Sequence, residues 1–107
     1  MILLLTHDDT TSAIECACDE SFAISMAMQA KWLIANFTPD NNISYNDIKE
    51  HVPAISANSI QRIQDILREQ MPAAKQFVTI CNELATAPVF TLAYATTFEL
   101  TSRKDEQ

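Results

Sequence analysis

Hydrophobic positions along this chain change period several times, and each change marks an element. Met1 to Thr6 is a short apolar run, followed at once by His7-Asp8-Asp9-Thr10-Thr11. Asp and Thr favour turns because their side chains bond nearby backbone groups. A first strand over 1–6 is therefore expected. Ile14, Cys16 and Cys18 then alternate with Glu15, Ala17 and Asp19, a period of two that predicts a second strand over 13–18. The same stretch also fits a helix, because Ser12-Ala13-Ile14-Glu15 matches a capping box. An early helix would place Ile14, Cys18, Phe22 and Met26 on one face, so residues 12–19 admit either reading.

From Glu20 onward the period is helical. Phe22, Met26, Ala30, Leu33 and Phe37 recur every three or four residues with Trp32 beside them, predicting a helix over 20–37 that serves as the central core helix. Thr38-Pro39-Asp40-Asn41-Asn42 ends it, proline restricting its predecessor and the Asx residues forming a turn without glycine. Ser44 caps a short helix over 45–52, with Asp47 in its first turn and Pro53 as its stop. Ser56 caps another over 57–70, with Ile60, Ile63 and Leu67 inward and Asn58, Gln61, Arg62, Asp65 and Arg68 outward. Pro72 opens a fourth over 73–86, whose stripe is Ala73, Phe77, Ile80, Cys81 and Leu84.

After Pro88 the period returns to two. Phe90, Leu92, Tyr94, Phe98 and Leu100 fall on one face of a strand expected over 89–101, and 102–107 reads as a frayed charged tail. A lone strand needs partners, so the N-terminal strands and this one should form a small antiparallel sheet. The expected fold is α+β and mostly helical, in one domain spanning 1–107. A chain of 107 residues can bury a core without disulfides or a structural metal.

Composition narrows the chemistry. Glycine is absent, which excludes a phosphate-cradling P-loop, a G-x-G-x-x-G dinucleotide turn and a G-x-S-x-G nucleophile elbow, since each needs backbone a Cβ would block. No apolar run reaches the length of a bilayer crossing, and Met1 to Leu5 is too short and lacks the basic flank of a secretion signal. No membrane partner and a cytoplasmic location are expected. An odd number of cysteines, two of them separated by one residue, fits reduced, packed thiols in a reducing compartment.

His7, Asp8, Asp9, Cys16 and Cys18 are metal-ligand types within twelve residues, yet a second ligand pair is missing, and no metal or other cofactor is expected. Glu15, Asp19 and Glu20 surround the first two thiols and disfavour a thiolate nucleophile. His7 and His51 belong to no triad or metalloprotease signature. The expected function is accordingly non-enzymatic.

The charge is uneven. Residues 1–43 carry six acidic side chains and one lysine, residues 44–75 four of each sign, and residues 76–107 four acidic and two basic, for a net charge of −7. Within the neutral middle, Tyr45 to Val52, Pro53-Ala54-Ile55 and Ser56 to Ile63 form a helix, a short turn and a second helix. Over residues 45–69 this resembles a helix-turn-helix DNA-binding unit of the winged-helix-like kind. Such units set the second helix's first turns against base edges. The resemblance implies Ser56, Asn58, Ser59, Gln61 and Arg62 as readers, with Arg68 or Lys49 on phosphates. Pro53-Ala54 replaces the usual glycine of the turn, and only Arg103 and Lys104 could serve a basic wing.

Two kinds of partner follow. One is DNA, bound by a small regulator expected as a homodimer, because one acidic monomer releases few counterions. The other is a basic protein surface, covered by an acidic inhibitor or adaptor of the size and charge met among small phage and plasmid proteins, through Asp8, Asp9, Glu15, Asp19 and Glu20.

Overall fold

The computed structural model describes residues 1–38 and 40–93. Strand β1 (Ile2–His7) turns back into β2 (Thr10–Cys16), with Leu3 opposite Ile14 and His7 opposite Thr10. Two residues, Asp8 and Asp9, make the turn at φ 48° and 65°. Both are left-handed, as a two-residue hairpin turn matched to strand twist requires, and Asp tolerates that region better than most residues. Residues 12–19 are thus mainly strand, ending at Cys16, and the capping-box helix does not form. The hydrogen bonds of the ladder and a β-hairpin's local closure outweigh a cap that would have no helix partner.

Helix α1 (Glu20–Asn36) buries Ala23, Met26, Gln29, Ala30 and Leu33. Phe22, expected inside, is exposed. The core stripe is turned toward the two alanines, whose small side chains let helix α4 (Ala73–Ala85) approach closely enough for the Cys81 thiol to lie 4.0 Å from the Met26 carbonyl. Asn41 closes the turn after α1, its side chain donating to the Asn36 carbonyl at 2.7 Å.

Helices α2 (Tyr45–His51) and α3 (Ala57–Arg68) start at the expected caps: the Asp47 amide donates to Ser44 Oγ at 3.3 Å and the Ser59 amide to Ser56 Oγ at 3.2 Å. Ile63 and Ile66 are the buried residues of α3, whereas Ile60 and Leu67 are only half-buried, because α3 rolls its Ile63–Ile66 edge onto the core. Phe77, Ile80, Cys81 and Leu84 of α4 are buried as expected, and Ala73 is half-buried.

Strand β3 (Phe90–Leu92) pairs antiparallel with β2, giving a sheet in the order β1-β2-β3. As expected, a strand after α4 joins the N-terminal hairpin, with β2 in the middle. Tyr94, Phe98, Leu100 and the expected tail lie outside the described residues. Helix α4 packs on α1, on α3 and against β1 and β3. Burying a side chain such as Ile80 or Phe77 there contributes about 1.5–3 kcal/mol. The sheet's inner face supplies Ile14, Cys16 and Phe90 to this core, while Ile2, Leu4 and Glu15 point away from it.

Candidate macromolecule-binding surfaces

The α2–α3 pair is tied down at its connection. Gln29 of α1 is 7% exposed, and its Oε1 accepts the Ala54 amide at 3.0 Å while its Nε2 donates to Ser25 Oγ at 3.1 Å. Trp32 and His51 stack with ring centroids 4.5 Å apart and an interplanar angle of 8°, joining α1 to α2. Lys49, the candidate phosphate contact, donates from Nζ to the Ile55 carbonyl at 2.7 Å and so braces the turn.

The candidate readers are similarly occupied. Ser56 caps α3 and its Oγ lies 2.8 Å from Ser59 Oγ. Gln61 donates to Asp65 Oδ1 at 3.1 Å. Arg62 reaches Glu83 of α4 at 3.6 Å and Arg68 reaches Asp65 at 3.8 Å. Of the seven candidates, Asn58 alone has no side-chain hydrogen bond or ion pair among the described residues.

Ser56, Asn58, Ser59 and Arg62 do come together, lining a recess of about 610 Å³ with Thr79, Asn82, Glu83 and Thr86 of α4 and its cap. Arg68 is elsewhere: six residues along an α-helix rotate the side chain by about 240°, and it borders a separate recess with Phe37 and Leu67. Glu83 places a carboxylate in the first recess opposite the one arginine there, which weakens its field toward an anion.

The acidic candidates are all exposed but do not form one face. Asp8 and Asp9 occupy the hairpin turn, whereas Glu15 lies opposite Ile2 near the other end, with Asp19 and Glu20 starting α1 just beyond. Five residues of strand separate the groups by about 17 Å, roughly two Debye lengths at physiological salt. His7 Nε2 lies 3.2 Å from Asp8 Oδ2, an exposed contact of the turn.

All three cysteines are free thiols. Burial, with Cys16 and Cys18 nearby as secondary causes, pushes the Cys81 thiol up to about 12. Cys16 is also raised, first by burial and then by Cys18. Both therefore stay protonated and packed at neutral pH. Among the described residues no three His, Cys, Asp or Glu side chains gather closely enough to hold a metal ion, and no helix is long and apolar enough to cross a membrane.

Exposed apolar side chains and a recess beside β1 escaped the sequence reading. Leu4 is 70% and Met28 66% exposed, with Ile2 and Ile24 also exposed. Beside β1 is a recess of about 580 Å³, with Leu5, Ile34, Met71 and Phe77 in its walls and His7, Asp8 and Lys31 at its rim. In the sequence Met1 to Leu5 is simply apolar, and nothing there marks Leu4 as the outward member. The sequence matches no protein-family model, and neither the curated proteins nor the solved structures include one similar to it.

Proposed function

We propose that this chain is a small non-enzymatic regulatory protein that acts by binding a macromolecule, and that the macromolecule is a protein with a basic surface. The observation that carries this reading is the net charge of −7, in a chain whose cations Lys49, Arg62 and Arg68 each lie beside an acceptor of their own. DNA affinity comes largely from cations that displace counterions from phosphates. A net charge of −7 with its central arginines internally matched opposes that term. The same charge attracts a basic partner and raises its association rate. An inhibitor or adaptor covering a basic nucleic-acid-binding groove is the role that fits.

The two acidic groups should act independently. Co-purification from the native host with and without nuclease identifies the partner. Association is then measured for the parent, Asp8→Asn/Asp9→Asn and Asp19→Asn/Glu20→Gln at two salt concentrations. Slower association and a flatter salt dependence in at least one pair supports the reading. If neither pair changes the rate at low salt, the acidic groups serve solubility only. Recovery of the chain on nuclease-sensitive material would restore the DNA reading, with Asn58 and Arg62 as its first residues.

A further inference from the structure

Among the described residues, the outer edge of the sheet leaves its backbone unpaired. The Cys16 amide donates to the Met1 carbonyl at 2.8 Å, and the register advances without a break through Leu3 opposite Ile14 and Leu5 opposite Ser12 to His7 opposite Thr10. Bonded and non-bonded pairs alternate in an antiparallel ladder, so Ile2, Leu4 and Thr6 aim their N–H and C=O groups away from β2. The order β1-β2-β3 puts those groups at a free edge among the described residues. Proteins usually blunt such an edge with charge, proline or a bulge. Ile2 to Thr6 has none of these, and Leu4 is 70% exposed.

The recess of about 580 Å³ lies next to this edge, with Leu5 of β1 on one wall and Ile34 of α1 on another. Side chains of a strand alternate between the two faces of its sheet. A strand added beside β1 would therefore direct every second side chain to the face that carries Leu5, over the recess, and the others beside Leu4. Edge and recess both end at Asp8, at the turn.

We propose that β1 receives an extended segment of a partner protein as an added strand, with an apolar side chain of that segment in the recess and a Lys or Arg facing Asp8 and Asp9. This rests on the reading of the chain as a binder of basic proteins and locates the site of binding. Main-chain hydrogen bonds supply affinity in such strand addition, and the pockets for alternate side chains supply specificity. A second copy fits less well, since Ile2–His7 contains no Lys or Arg and the copy brings its own charge of −7.

The test is selection of a random peptide display library on the parent, on Leu4→Pro and on Ala35→Trp. The Leu4 amide points outward, so proline there removes a donor of the edge and leaves the β1–β2 ladder intact, which slow exchange of the Leu3 and Leu5 amides verifies. Ala35 lines the recess from α1, so Ala35→Trp fills it while leaving the sequence and edge backbone groups of β1 unchanged, and decides the matter alone if the proline variant fails to fold. Peptides enriched on the parent should alternate apolar residues and end in Lys or Arg. A synthetic copy should slow amide exchange at Ile2, Leu4 and Thr6 and bind each variant about tenfold more weakly, a loss of about 1.4 kcal/mol. The proposal is overturned by no enrichment, by peptides that bind both variants as well as the parent, or by a parent that dimerises with those amides already protected. Peptides that ignore both variants but are lost on Asp8→Asn/Asp9→Asn remove the added strand and leave the acidic-binder reading standing.

Discussion

Gln29 Oε1 accepts the backbone amide of Ala54 at 3.0 Å, a side-chain bond that fastens the turn between α2 and α3 to the middle of α1. Gln29 is the one buried polar residue among the described residues, and its amide group is satisfied at both ends. Gln29→Leu keeps the volume and removes the acceptor, leaving the Ala54 N–H unpaired. The cost should be about 1–3 kcal/mol. Urea denaturation measures it, and faster exchange of the Ala54 amide should accompany it. A variant as stable as the parent, with that amide still protected, would show that water replaces the bond.

Asn82 should hold β3 in place. Its Nδ2 donates to the Phe90 carbonyl at 3.0 Å, and the Phe90 amide donates to its Oδ1 at 2.9 Å, so the side chain pairs with Phe90 as a neighbouring strand would. Asn82→Ala leaves both backbone groups without that partner and should cost about 1–3 kcal/mol. Exchange should quicken at Phe90 more than at Leu3 or Leu5. Uniform acceleration across the sheet would contradict the local role.

Thr86 ends α4 at φ 57°, a position where glycine is usual, in a chain without any. A Cβ in the left-handed region costs about 1–2 kcal/mol. Glycine's freedom in the unfolded chain takes back about 0.5–1 kcal/mol. Thr86→Gly should therefore stabilise the protein by about 0.5–1 kcal/mol, read as a raised melting temperature. A lowered one would mean that the contact of Thr86 Oγ1 with the Ala85 carbonyl at 2.6 Å outweighs the strain.

Cys81 predicts a loss of stability in alkali. Its folded pKa, about 12, lies above the unfolded value of 9.0 because burial disfavours the thiolate. The contribution is complete below pH 9 and disappears as pH rises through about 12. Three pKa units set a ceiling of about 4 kcal/mol on it. The stability difference between parent and Cys81→Ala isolates the thiol from the other groups of the chain. That difference should shrink as pH rises from 9 to 12 and stay flat from 6 to 8.

Arg62 and Glu83 give a test of the DNA reading. The guanidinium is 71% exposed at 3.6 Å from the carboxylate, a geometry in which an ion pair contributes little. Arg62→Ala should alter stability by no more than about 0.5 kcal/mol. The parent should bind duplex DNA no more tightly than about 100 μM at physiological salt, and Glu83→Ala, which frees the arginine, should improve that only slightly. Tight, Arg62-dependent binding by the parent would displace the protein-binding proposal.

Much of the fold is written locally. Ser44, Ser56 and Pro72 mark the starts of α2, α3 and α4, since a cap needs only the residues that follow it. The hairpin is legible in the same way, with turn-forming Asp8 and Asp9 between an apolar run and an alternating one. Phe22 was misassigned because its period suited the core face and only the approach of α4 decides the rotation of α1. The contact of Arg62 with Glu83 was illegible for a related cause: Glu83 lies 21 residues away and meets it only when α3 and α4 pack.

By itself the sequence determined the four helices, the first and last strands, the lack of glycine-dependent motifs and the excess of negative charge, while leaving 12–19 open between strand and helix, because periodicity, capping and composition act over a few residues or over none. The tertiary structure decided the rest. It packed α4 against α1, α3 and the sheet, set an acceptor beside each cation of α2 and α3, separated Asp8 and Asp9 from Glu15, Asp19 and Glu20, and left Ile2, Leu4 and Thr6 on an edge that is open among the described residues. Each of those outcomes depends on distances between residues far apart in the chain, which the packing of helices against the sheet creates and no local pattern encodes.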